Sequence, residues 1–495
     1  MSKILFAAIL LIASWNIPAH AQLRVEVASG SQSLGAGRLV LFVRSAERNA
    51  SFPESVDGNA FEPDGLIVAA REITGVKSGC SVGIDGDDLS YPTSLAHLTP
   101  GSYVVQAVLD SNHDYVYSGR GAGDVLSEVA MVDVGSEPAT VKLTLGRTVP
   151  PLGAWDTPWG PAAEGDELAH LKHVATHFAV SSPTLEKFHG RKMELRGIVV
   201  VPLDYASTKD KLPVVYFTHG FGGAMPALND TAMGLVRQIK AGNMPRLVWV
   251  LLDQSGPTGT HEFADSLNNG PWGTALTTEM LPYIEATYRT DARPGARFVM
   301  GHSSGGWAAL WLQLAYPSVF GGAWATSPDY SDFTDFGGVD LTSQRALFNN
   351  TTLARMEAVL GEYGGQTTSF EAVWSPRGPD GRPMPLFDRQ TGAVDQEVAQ
   401  WWRAHWDLTE KVRREWRGNR ALLDGKVHVV VGEEDQFGLD DSARRLESAI
   451  KNVDGRASFK YLAGKGHFDL YVQGPERAAL RRVMAWEMWH QAQTK

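Results

Sequence analysis

The sequence predicts an α/β chain in two parts, a small all-β, sandwich-like unit followed by a mostly parallel sheet with helices on both faces. Three observations carry this. Short runs of β-branched residues, separated by Gly, Asp, Asn and Ser, fill the chain to about residue 148. From about residue 171, strand-like and helix-like patterns alternate. A glycine-flanked serine then falls between a strand and a helix, in Gly301-His302-Ser303-Ser304-Gly305.

The first 21 residues read as an export signal and stand apart from both units. Lys3 gives a positive start, Ile4 to Ser14 an apolar run, and Ala19-His20-Ala21 a small-x-small cleavage site. The expected location is the bacterial periplasm or the exterior, with no membrane span in the mature chain, since the apolar run is too short. Removing the segment deletes Lys3 and takes the formal net charge from -11 to -12. That acidic balance argues against a nucleic-acid partner. A lone cysteine, Cys80, excludes an intrachain disulfide, so packed cores must supply the stability. A chain of 495 residues is too long for one ordinary core.

Residues 22–148 form the first unit, with strands expected at Leu23–Val27, Arg38–Val43, Tyr103–Leu109, Val129–Val134 and Val141–Leu145. Asp110, Asn112 and Asp114 alternate as calcium ligands can, but the later glycine and distal glutamate of such a loop are missing. A polar turn is the better reading. Pro150, Pro151, Pro158 and Pro161 mark residues 149–170 as a linker.

Residues 171–495 form the second unit. Strands are expected at Pro213–Thr218, Leu247–Leu252, Arg297–Met300, from Ala323, at Val427–Val431 and at Ser458–Leu462. Helices fall at Leu228–Ile239, Ala275–Tyr288, Gly305–Leu314, Ser442–Ile450 and after Pro475. The alternation pauses over residues 327–423, an insertion carrying Trp374, Trp401, Trp402, Trp406 and Trp416. Those tryptophans suit either a pocket or a core.

The pattern G-x-S-x-G is weak alone, but strand, sharp turn and helix in that order make it a nucleophile elbow, with Ser303 as nucleophile. A serine hydroxyl needs a base, and His467 in Gly464-Lys465-Gly466-His467 follows the last strand. The acid that orients the base should follow the preceding strand, in Gly432-Glu433-Glu434-Asp435. Asp435 is favoured over Glu434 because it lies further beyond the strand end. Two N–H groups should stabilise the oxyanion, those of Ser304 and of Phe221 in His219-Gly220-Phe221-Gly222-Gly223. No H-E-x-x-H, zinc-spaced Cys/His cluster or phosphate-binding glycine loop occurs, so no metal or cofactor is expected.

These motifs, with the run His261–Gly273 and Thr278-Glu279-Met280-Leu281-Pro282-Tyr283-Ile284, resemble the putative esterase family. That family includes esterase D, feruloyl esterases, enterochelin-type siderophore esterases and mycolyltransferases. The resemblance runs from about Val174 to His490 and does not cover the first unit. It implies an α/β-hydrolase fold, Ser-Asp-His catalysis and no cofactor. The resulting expectation is an exported serine ester hydrolase acting on a small or carbohydrate- or phenol-linked ester. Its rivals are an acyltransferase using the same site and a non-catalytic binding protein with a degenerate hydrolase domain. The sequence assigns no oligomeric state.

Overall fold

The computed structural model describes residues 22–46, 53–58, 61, 65–158, 163–337, 339–341 and 348–494. The expected export segment, residues 1–21, lies outside the described residues. The chain divides into two units. One comprises the chain to Gly58, Glu62–Ser111 and Val125–Thr148; the other Asn59–Phe61, Asn112–Asp124 and Val149–Lys495.

Within the first unit, the described strands hydrogen-bond through into one mixed sheet. Its spine is Gly37–Ala46 between Leu66–Ile73 and Gly101–Asp110, all antiparallel. Leu39, Leu41 and Val43 stand opposite Leu109, Ala107 and Val105 and bury one face together. Alternation does the same for Leu23–Ser29, where Leu23, Val25 and Val27 point inward. That strand runs parallel to Ala139–Thr148. Leu66–Ile73 eluded the sequence reading because Ala69 and Ala70 at its centre carry little β preference.

The second unit is built on an eight-stranded sheet. Its order is Ala175–Ser181, Glu194–Val200, Val248–Leu252, Val214–Thr218, Arg297–His302, Gly322–Thr326, Val427–Gly432 and Ser458–Leu462. The first two pairings are antiparallel and the remainder parallel. This is the α/β-hydrolase arrangement. Period-two alternation splits each central strand between two cores: Val214 and Tyr216 face one, Val215 and Phe217 the other. Full burial of each such side chain stabilises by about 1.5–3 kcal/mol. No helix of the described residues is long and apolar enough to cross a membrane.

Two sequence expectations change here. Residues 149–158 and 163–170, expected from sequence to be a linker between the units, group with the second unit. The Asn229 amide donates to the carbonyls of Ala154 and Asp156 at 3.1 and 2.8 Å, and the Trp155 ring lies 4.0 Å from that of His177. Helix Gly165–Val174 also begins inside it, burying Leu171 and Val174. Proline denies a segment ladder hydrogen bonds without denying it side-chain burial. Residues 112–124, assigned by sequence to the first unit, pack with the second. In this loop the Asn112 amide donates to the Ala122 carbonyl at 3.0 Å, and Asp124 accepts from the Gly121 N–H at 2.7 Å.

The insertion is helical, with Phe348–Leu360, Gln366–Trp374, Gln396–His405, Leu408–Glu415 and Arg420–Leu423 between the sixth and seventh strands of the sheet. Asp395 and Asp407 cap two of these helices by accepting from the N–H groups of the first turn. Trp374, Trp402 and Trp416 are fully buried, so most of the tryptophan set is core.

Candidate active site

The strand Arg297–His302 ends in Ser303, whose backbone is left-handed (φ 58°, ψ -126°), and helix Ser304–Ala315 starts at the next residue. Such a turn holds a side chain at the strand tip under strain. Glycine is obligatory on both sides. A Cβ on Gly301 would sit 2.0 Å from the Gly305 carbonyl oxygen, and one on Gly305 would sit 2.4 Å from that of Thr218. The Ser303 N–H donates to the Thr326 carbonyl at 3.0 Å, locking the tip to the neighbouring strand.

The loop His219–Gly223 follows the strand Val214–Thr218 and passes close beside this tip. A Cβ on Gly220 would meet the Ser303 Cβ at 3.2 Å. The loop is fixed by buried polar groups. The Gln254 amide donates to the His219 carbonyl at 2.5 Å, and the Gln254 N–H donates to His219 Nε2 at 2.9 Å. That acceptor role makes His219 the Nδ1–H tautomer, with Nδ1 2.8 Å from the Gly220 carbonyl. Asp253, 3.4 Å from the same Nε2, takes its close hydrogen bonds from Arg196 and Ser255 instead. The loop carries the Phe221 N–H. The Ser304 N–H opens a helix, a position with no intrahelical acceptor. Tyr117 braces this loop, with its ring 5.3 Å from that of Phe221 and its hydroxyl donating to the Gly223 carbonyl at 2.8 Å.

His467 follows the strand Ser458–Leu462 and is buried, and its Nδ1 lies 2.9 Å from Asp435 Oδ2. Gln436 holds it from behind by accepting its N–H at 2.7 Å. Burial by itself would raise the Asp435 pKa. The hydrogen bond and charge of His467, the Phe437 N–H and Ser327 outweigh that and hold it below the usual carboxylate range. Glu433 and Glu434 are exposed. The His302 ring, 4.5 Å from that of His467, is pushed down to about 3 by burial and by its histidine neighbour, so it stays neutral.

Ser303, Asp435 and His467 thus all stand at the carboxyl ends of their strands. One bond differs from the expected relay. The Ser303 hydroxyl donates to Asp329 Oδ1 at 3.1 Å rather than to His467, and the Ser304 hydroxyl donates to Asp329 Oδ2 at 2.7 Å. Asp329 is buried and its N–H donates to the Ser303 carbonyl at 3.1 Å. Glu262 lies behind it, fully buried at a positive φ of 53°, its Oε1 accepting from Thr260 and its Oε2 without a partner. Burial, aggravated by the Asp329 charge, drives the Glu262 pKa well up. Burial also raises that of Asp329, against the opposing pull of Ser304, His467 and Ser303. Sequence reasoning missed both. The available signals were the position of Asp329 just past a strand end, in Thr326-Ser327-Pro328-Asp329, and the place of Glu262 in the run from His261.

A cleft of about 180 Å3 opens onto Ser303 and Asp329. Phe336, Phe370, Phe387 and Trp402, supplied by the insertion, form its walls. Glu371 also lines it and is paired to Arg389 at 2.5 Å.

A family model described as "Putative esterase" matches residues 189–492. Esterase MT1326 and esterase Rv1288, from two strains of Mycobacterium tuberculosis, are each 32% identical over 178 residues. The match spans only 36% of this chain and 36% of each relative. Among solved structures, a ferulic acid esterase is 17% identical, covering 64% of this chain and 98% of its own, with a TM-score of 0.42. An S-formylglutathione hydrolase from Agrobacterium tumefaciens is 17% identical, covering 64% and 94%, with a TM-score of 0.39. With well over half of its length matched by the family model, the chain belongs to the putative esterase family.

Proposed function

We propose that the chain is a serine carboxylic-ester hydrolase. The observation that carries this is the Ser303 elbow, with the His467–Asp435 pair on the same end of the sheet. In this reading Ser303 turns its hydroxyl from Asp329 to His467 as substrate enters. His467 removes the proton while Ser303 Oγ attacks the ester carbonyl. The Phe221 and Ser304 N–H groups hold the oxyanion, and Asp435 stabilises the imidazolium. The imidazolium then protonates the departing alcohol, leaving an acyl-enzyme. Water, deprotonated by His467, releases the acid and restores Ser303.

The aromatic cleft supports a small or phenol-linked acyl group, since flat rings bury well between Phe370, Phe387 and Trp402. Export through residues 1–21 belongs to the same reading. It predicts a mature protein starting at Gln22, which N-terminal sequencing of the exported form checks. The catalytic test is a fluorophosphonate probe. The wild type becomes labelled at Ser303 and cleaves short p-nitrophenyl esters, and Ser303→Ala does neither. Absence of both in the wild type would sink the proposal.

A further inference from the structure

The carboxylate that touches the nucleophile also faces the space where an acyl group must lie. Asp329 Oδ1 is 3.1 Å from Ser303 Oγ, and both residues line the same cleft. Among the described residues lining that cleft there is no lysine, arginine or histidine. The other carboxylate there, Glu371, is balanced by Arg389. Resting on the esterase reading above, we propose that Asp329 is a specificity-determining residue that makes the cleft a charge filter, admitting uncharged acyl groups and turning away anionic ones.

The charge resides on Asp329 for a structural reason. It shares a buried region with Glu262, and two adjacent buried carboxyl groups do not both ionise readily. The hydroxyls of Ser303 and Ser304 donate to the two oxygens of Asp329, so Ser304, which also neighbours Glu262, has no proton left to donate to it. Glu262 is therefore the neutral member. The cation that forms nearby during turnover, on His467, is already matched by Asp435.

Acylation sharpens the effect. The acyl carbon bonds to Ser303 Oγ, so the hydroxyl that turned away from Asp329 Oδ1 as substrate entered cannot return. A carboxylate two methylenes along an acyl chain that turns into the cleft can approach to about 5–6 Å from this oxygen. At that range like charges disfavour binding and acylation by about tenfold to a hundredfold. An uncharged acyl group bearing an O–H or N–H donor would instead replace the lost hydrogen bond.

The test compares monoethyl succinate with ethyl succinamate, its uncharged isostere, by ethanol release at pH 7.5. Measurements use wild type, Asp329→Asn and Asp329→Ser, and single-turnover conditions with enzyme in excess cover slow cleavage. The readout is the ratio of the two kcat/KM values on one preparation, which cancels the folded fraction. The wild type should favour the succinamate by about tenfold or more, and both variants should bring the ratio within about threefold of unity. The filter is overturned by a wild-type ratio near one. It is equally overturned if the variants slow both esters by the same factor, which is what a purely structural Asp329 would produce. Cleavage of neither ester, with no fluorophosphonate adduct on Ser303, would instead bring down the esterase reading and this inference with it.

Discussion

Replacing Asp435 by Asn tests the acid of the proposed triad, because three acidic side chains follow one strand. Asp435 Oδ2 lies 2.9 Å from His467 Nδ1, its side chain fully shielded, while Glu433 and Glu434 are exposed. Asparagine keeps the volume but presents either an N–H to a nitrogen that must itself donate or an uncharged oxygen. The imidazolium formed during attack then loses its buried counter-charge, and the Nδ1–H tautomer loses its preference. A fall in kcat of about 10³–10⁴ follows, equivalent to about 4–5.5 kcal/mol of transition-state stabilisation. KM should move little, since Asp435 does not line the cleft. The assay is steady-state hydrolysis of a short p-nitrophenyl ester, normalised by fluorophosphonate titration. Glu434→Gln is the control and should stay within about twofold of wild type, as an exposed charge contributes little. Survival of more than a tenth of wild-type kcat in Asp435→Asn, or collapse in Glu434→Gln, would refute the assignment. The variant should also lose acid sensitivity. The folded-state pKa of Asp435 is depressed, so its stabilisation is present above the unfolded value and disappears as pH falls through the folded one.

Other outcomes follow from the same geometry. Gly301→Ala puts a methyl 2.0 Å from a carbonyl oxygen, so thermal unfolding should show at least about 3 kcal/mol of lost stability, or no soluble protein. Tyr117→Phe removes the hydroxyl bonded to the Gly223 carbonyl; kcat should drop about three- to tenfold with the global Tm nearly unchanged. Glu357, buried against the N–H groups of Gln366 and Thr367, is raised to about 7, with desolvation as the main cause. Because the folded form holds its proton more tightly, stability is greatest below the unfolded pKa and declines as pH rises to about 7. The change is about 3 kcal/mol on a rise from 4.5 to about 7, and the difference in Tm between wild type and Glu357→Gln followed across that window checks it.

The central strands were legible because their apolar runs are buried on both faces. Val214–Thr218, Val248–Leu252 and Val427–Gly432 fall within a residue of expectation. The antiparallel edge pair Ala175–Ser181 and Glu194–Val200 was not, since its polar and half-buried positions break the apolar run. The prolines of residues 149–158 mark a linker by composition, whereas in the structure those residues group with the second unit. The tryptophans of the insertion left pocket and core open. Trp402 serves both, fully buried and yet lining the cleft.

By itself the sequence determined the chemistry available: a serine in a turn that only flanking glycines permit, a histidine and acids past later strands, and a loop able to present N–H groups. Those are properties of local backbone and chain order, so they survive translation into one dimension. Tertiary structure decided which acid meets His467, because reach depends on how Gly432–Gly438 bends after its strand. It also decided where the Ser303 hydroxyl points. Asp329 comes to it from a loop 26 residues on in sequence, and Glu262, 41 residues before Ser303, is brought close enough for its carboxyl group to feel the Asp329 charge only by the packed sheet.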